Sequence, residues 1–413
     1  MKTISVLFIA VFIAGLLVWA CTSAPAPTAA PTATSAPATA ATTAKPTTPA
    51  PATAAPTAKP ATPSPAPTAN AQQQWDALVA AAQKEGTVTI YTLWRPETRD
   101  ALTPAFKAKY GINLEFSPFS RGAELLAKVD AEQRAGLFLA DMFGAGSNSM
   151  ISLLKPAKVL GQLEPLLVLP EVTDGKNWSP GKLPFVDKDR TFVAMISSLQ
   201  RNVVYNTDLI KKGEIADYPD LLKPQYTGKI TMNDPTVTGP GGDFMIHLAV
   251  NIYDLNRARD YLTALVGPQK AVVERDNRLQ VETVARGKYS LGLAPNPDNM
   301  SNFMSLGAPL EVVIFKQGVR VTSAAGAIAV PVKQAHPNAA KLFANWLLTK
   351  EGQTIFSKGF GNPSLRTDVS TEGFNPIFLA QPGEKVFPDS EDFLMRTEEV
   401  LGMAKQVIAA ANK

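Results

Sequence analysis

Residues 22–70 most constrain what this chain can fold into. Of these 49 positions, 18 are Ala, 13 Thr, 12 Pro and 3 Ser, and none is Gly, aromatic, Val, Ile or Leu. Such a stretch has no apolar area to bury, so it is expected to stay unfolded, as an extended polyproline-like spacer. The 12 prolines therefore say nothing about the folded part. After that tract and the 21 residues before it, 343 of the 413 residues remain. That is enough for two lobes with sizeable cores.

The chain opens Met-Lys-Thr and then runs from Ile4 to Ala20 almost without polar residues. The run ends Leu17-Val18-Trp19-Ala20-Cys21. A small residue followed by Cys after an apolar stretch resembles a bacterial lipobox, although Trp19 departs from the usual small residue there. Residues 1–21 are thus read as a lipoprotein export signal, with Cys21 as the lipid anchor and 22–70 as a tether. The alternative is an uncleaved anchor helix with an incidental Cys. Either way the remainder is expected outside the cytoplasmic membrane.

Cys21 is the only cysteine. That removes disulfide scaffolds, Cys-ligated zinc, iron–sulfur clusters and CxxC redox chemistry. All 36 acids and 37 of the 40 bases lie after residue 70, so the folded part carries about one net positive charge. A nucleic-acid binder would show a basic excess, and no nucleic-acid partner is expected. No metal site or cofactor is expected either.

Hydrophobic periodicity lays out the first half. Helices are expected over 72–85, 96–110 and 121–135, and strands over 87–93, 112–116 and 137–143. Pro104 falls inside the second helix, and Gly86 and Gly111 close the first two. A Gly/Ser turn at 144–147 then leads into a helix through Leu154. Strands at 191–197 and 202–205 follow. Further strands are expected at 229–232, 289–294, 311–315 and 324–330. Helices are expected near 243–252, 254–266, 278–286, 336–348 and 391–411. A βαβαβα run predicts an α/β fold with a mostly parallel sheet, and ligands gather at the carboxyl ends of such strands. Those ends carry Trp94, Arg95, Arg121, Ser147 and Asn148.

Four stretches together resemble one family. They are Arg121-Gly122-Ala123-Glu124-Leu125 with 130–136 and Ala140-Asp141; Tyr205-Asn206-Thr207; 220–230 with Asn233-Asp234-Pro235; and 335–348 with Glu351-Gly352-Gln353. The chain is similar to the extracytoplasmic solute-binding proteins of ABC importers, in the group that includes ferric-binding proteins. The resemblance spans about 72–370. It implies a type II periplasmic-binding-protein-like fold of two α/β lobes. Lobe one would be 71–197 plus 321–413 and lobe two 198–320, with crossings near 197–205 and 315–321. It also implies a monomer that closes on a small-molecule solute and delivers it to an ABC permease and its ATPase.

Ferric-binding members of that group carry a Tyr pair after a second-lobe strand. Here 289–294 is followed by Pro295-Asn296-Pro297-Asp298-Asn299-Met300, with no Tyr. Phenolates suit hard Fe(III), so an anionic or polar organic solute is expected instead. The turn Thr238-Gly239-Pro240-Gly241 opens a helix and could offer backbone N–H groups to an anion. Arg95, Arg121 or Arg278 could clamp a carboxylate or phosphonate. Trp94 could stack on the solute, and Ser147, Asn148 and Asn296 could hydrogen-bond to it. Each has a plainer alternative: Trp94 as core, Ser147 as a helix cap, Glu124 pairing with Arg121. Three other readings stay open: iron binding in the same family, a sensory or structural surface lipoprotein, and a secreted hydrolase. For the hydrolase there is no GxSxG, HExxH or Walker A motif, and His247 and His336 sit in helical settings.

Overall fold

The computed structural model describes residues 71–411, which lie in one compact unit. The export signal, Cys21 and the 22–70 tract lie outside the described residues.

Thirteen strands appear among them: β1 (Thr87–Thr92), β2 (Asn113–Pro118), β3 (Met142–Ala145), β4 (Phe192–Ala194), β5 (Ser198–Gln200), β6 (Val203–Asn206), β7 (Ile230–Asn233), β8 (Val272–Glu274), β9 (Leu291–Leu293), β10 (Leu310–Val312), β11 (Val319–Thr322), β12 (Ala327–Ala329) and β13 (Val386–Pro388). They form two five-stranded sheets, β2-β1-β3-β12-β4 and β8-β7-β9-β6-β10, and a three-stranded sheet, β13-β11-β5. The two large sheets have the same plan. Three parallel strands from successive βα units come first, then one reversed strand from elsewhere in the chain, then an edge strand. The topology repeats although the sequence does not. This is the expected two-lobe α/β fold, with the crossing strands β5 and β11 side by side and antiparallel.

Both faces of the first sheet are covered, as strands buried along their length require. On β1, Ile90 points into one core and Tyr91 into the other; on β3, Met142 and Phe143 divide in the same way. The core holding Tyr91 and Phe143 continues without a break to Met232 and Phe244 of the second lobe and to Phe393 and Val400 near the carboxyl terminus. The helix Pro337–Leu348 packs into the opposite core through Phe343, Trp346 and Leu347. The Glu85 carboxylate accepts the first N–H groups of that helix, from Asn338 and Ala339.

Three expectations change. The third strand starts at Met142, not 137. The Asp141 carboxylate accepts the Thr89 N–H at 2.8 Å and occupies the next ladder position, so Leu137 and Leu139 are left exposed. There is a third crossing strand, β13, parallel to β11, from a stretch not read as a strand. The last helix, Thr397–Ala411, packs against Pro240–His247 and Leu255–Val266, which are second-lobe helices. This last helix thus packs on helices that fall in 198–320, the stretch that the sequence reading gave to the other lobe.

Candidate solute-binding site

The parallel strands of each large sheet end in turns that lead into helices. On the first sheet these turns follow β1, β2 and β3; on the second, β7, β8 and β9. Ligands of open α/β sheets bind at such ends.

After β1, Trp94 is 2% exposed. Its ring packs against Phe116 and edge-on to Phe356, and Nε1 donates to the Ala325 carbonyl at 3.1 Å. It presents no face to a solute; the plainer reading, core, is the one the packing supports. Arg95, next in sequence, is half-exposed, and its Nη2 lies 3.1 Å from Asp298 Oδ2. Asp298 sits in the helix Pro297–Ser305 that follows β9, so this pair bridges the two lobes.

After β2, Arg121 stands exposed at the N-cap position of the helix Gly122–Arg134, and its guanidinium makes no hydrogen bond or ion pair among the described residues. Glu124 does not pair with it; the Glu124 carboxylate accepts the Ser120 N–H instead. After β3, Ser147 is buried, and its Oγ lies 2.7 Å from Ser323 Oγ, whose residue follows β11. Ser147 thus ties a strand end to the hinge, and at 1% exposure it is closed off from solvent. Asn148 is partly exposed and accepts a hydrogen bond from Ser152 Oγ one turn on.

On the second lobe, Thr238 and Gly239 come together with Asn233, Asp234, Thr236, Arg275 and Asn277 around a hollow of about 500 Å³. Gly239 has φ 140°, a backbone shape that suits glycine and opens the helix Pro240–His247. Gly241 is buried beneath this turn. A Cβ there would stand 2.3 Å from the Asp234 carbonyl oxygen and 2.4 Å from that of Asn233, so the close approach requires glycine. Asp234 is held by Thr236 Oγ1 at 2.6 Å, by the Thr236 N–H and by Arg275 Nε at 3.2 Å. Burial alone would raise its pKa, but these donors and the Arg275 charge together hold it below the ordinary carboxylate value. The hollow therefore carries a fixed carboxylate beside a cation.

Arg278 and Asn296 are engaged locally. The Arg278 guanidinium lies 5.0 Å from the Phe303 ring centre, and Asn296 caps its own helix by accepting the Asn299 N–H. Sequence reasoning missed Asn233, Asp234, Arg275, Asn277 and Asp298. For Arg275 and Asn277 the missing signal was β8, a three-residue edge strand whose only trace is the Val272-Val273 pair. Two of the other cavities lie by the hinge sheet and by β10. One, of about 500 Å³, lies against the hinge sheet by Leu199 and Val321; the other, of about 490 Å³, lies beside Tyr205 and Glu311.

Residues 101–379 match the family model described as bacterial extracellular solute-binding protein. The chain belongs to that family. Membership makes this a solute-binding protein that works outside the cytoplasmic membrane, rather than an enzyme. Among curated proteins, an uncharacterized protein of Haemophilus influenzae is 24% identical over 303 residues, 72% of this chain and 82% of that protein. Among solved structures, the Mannheimia haemolytica ferric iron-binding protein A, in an open conformation, aligns with TM-score 0.64 at 14% identity, covering 78% of this chain and 98% of that one. The Trichodesmium protein IdiA (FutA), in complex with iron and citrate, gives 0.61 at 17%, covering 78% and 99%. The Actinobacillus pleuropneumoniae protein AfuA, with fructose-6-phosphate bound, gives 0.56 at 21%, covering 79% and 99%. At these identities the likeness carries the fold alone.

Proposed function

We propose that this solute-binding protein takes a small anionic or polar organic solute between the facing strand ends and delivers it by hinge closure to an ABC permease and its ATPase. The reading includes anchoring through a lipid on Cys21, with 22–70 as the spacer. The lobes divide at the three-stranded hinge sheet.

One observation carries the choice of solute. In the stretch after β9, where the resemblance puts a Tyr pair, Asn296 is spent on capping and Asp298 on Arg95. All eight tyrosines lie elsewhere. Three donate their hydroxyls to carboxylates: Tyr91 to Glu132, Tyr205 to Glu311 and Tyr226 to Glu214. Burial first, and then those carboxylates, push these phenols up, Tyr226 to about 12, away from the phenolate that iron requires. Support for an organic anion comes from the uncompensated Arg121 and from the glycine turn at Thr238–Gly241. A sugar phosphate of the kind bound by AfuA is one member of that class.

A second reading, ferric iron, draws on the iron bound in the Trichodesmium structure. Titration with ferric citrate and, separately, with fructose 6-phosphate tests the two. A coloured tyrosinate-to-iron absorbance band would overturn the organic-solute reading. Heat on adding the sugar phosphate, lost in Arg121→Ala, would support it. Mass spectrometry of the mature amino terminus tests the anchor: an intact Met1 would refute it.

A further inference from the structure

The alternation of the hinge sheet separates two faces. Val319, Val321 and Leu199 share one, and Arg320 lies on the other, with Gln200 and Phe387 as its register partners. Arg320 is 3% exposed. Its Nε donates to Asp389 Oδ1 at 2.8 Å, its Nη1 lies 3.0 Å from Asp243 Oδ2, and its guanidinium lies 4.3 Å from the Phe393 ring centre. Each partner leads to a different body. Asp243 is in the helix Pro240–His247, at whose start Gly239 and Thr238 line the second-lobe hollow. Asp389 directly follows the third crossing strand, and two residues later Glu391 accepts a 2.8 Å bond from Lys155 of the first lobe. One turn beyond Asp243, His247 stacks edge-on against Phe387 at 5.5 Å. The helix is thus pinned to the polar face of the hinge sheet at two points.

A buried ion triad is rarely retained for stability, because an apolar residue of similar size does as well or better. A buried guanidinium does something an apolar residue cannot: it ties two elements to one point, Asp389 through Nε and Nη2, and Asp243 through an ion pair to Nη1. We infer that Arg320 is a positioning residue for lobe closure, holding the helix that bears the binding turn and the third crossing strand in one fixed orientation to the hinge. The consequence for affinity rests on the proposed binding turn; the consequence for lobe orientation does not.

The test is therefore made without solute. Spin labels on Lys107→Cys and Asp260→Cys, in the full chain carrying Cys21→Ser, report the interlobe distance distribution. Arg320→Lys keeps the charge and loses the fork, and Asp243→Asn removes one partner while keeping its shape. Loss of the parent's distance distribution, by broadening or displacement, is expected in both. Asp368→Asn, which breaks the Arg366–Asp368 pair without touching Arg320, Asp243 or Asp389, is the control that lowers the melting temperature without moving the distribution. Parent-like distributions in both hinge variants, folded by circular dichroism, would overturn the proposal. If Arg320→Lys does not fold, Asp243→Asn decides. Absence of any detectable solute would count against the binding reading and leave this measurement intact.

Discussion

Arg95 Nη2 stands 3.1 Å from Asp298 Oδ2, and this pair joins the carboxyl end of β1 in the first lobe to the helix after β9 in the second. Its side chains are 49% and 66% exposed, so water and salt weaken it to about 0.2–1 kcal/mol. A latch of that strength biases closure without locking it. It also places a carboxylate against a cation that the sequence reading offered to the solute.

Asp298→Ala is expected to open the lobes slightly. Small-angle scattering at low salt would show a larger radius of gyration than for the parent. At about 1 M salt, where the screening length falls to about 3 Å, the parent should expand toward the variant. Equal radii at low salt would show that the pair does not hold the lobes.

Trp94→Ala is expected to cost about 3–5 kcal/mol in urea unfolding, because it empties a fully packed site against Phe116 and Phe356. A residue that stacked on a solute would instead lower affinity and spare stability. The two outcomes separate core from site.

Two glycines should respond in opposite senses to alanine. Gly241→Ala drives a methyl into the Asp234 and Asn233 carbonyls and is expected to destabilise by about 1–3 kcal/mol and distort the turn at Thr238–Gly241. Gly402→Ala lies within the last helix, where a Cβ meets nothing within 4 Å, and is expected to stabilise by about 0.5–1 kcal/mol. Thermal melts of both variants check the pair.

Acid should weaken the fold through His247. Burial first, and then the Arg320 charge, push its pKa down from 6.5 to about 3. The unfolded chain therefore binds the proton more readily between those values. The neutral buried ring leaves stability unaffected above pH 6.5; the loss grows as pH falls toward 3 and levels off below it. At pH 5 the loss is about 2 kcal/mol. His247→Gln should flatten that part of the stability profile. An unchanged slope between pH 6.5 and pH 4 would assign the acid sensitivity to carboxylates instead.

How far the fold was legible depended on how local its causes are. The first two strands and the helix between them were readable because the strands alternate and the helix ends at a glycine, Gly111, with φ 74°. The strand at 137–143 was misplaced because a carboxylate at Asp141 takes a ladder hydrogen bond, which no hydrophobic pattern reports. β8 and β13 are three residues long and draw their strand character from neighbours already in place. For the site, Gly239 and Gly241 could be singled out from the glycine turn alone. Asp298 could not be matched to Arg95, because 203 residues separate them in the chain.

By itself the sequence determined what could fold. It set two lobes' worth of core after residue 70, and strand ends of the kind where α/β proteins meet ligands. Those follow from composition and short periods, which act over a few residues. The tertiary structure decided which charged groups remain free for a solute. Arg95 is paired with Asp298 and Arg320 lies buried between Asp243 and Asp389, while Arg121 has no partner among the described residues. Charge compensation depends on distance in space, and only the closed chain sets that distance.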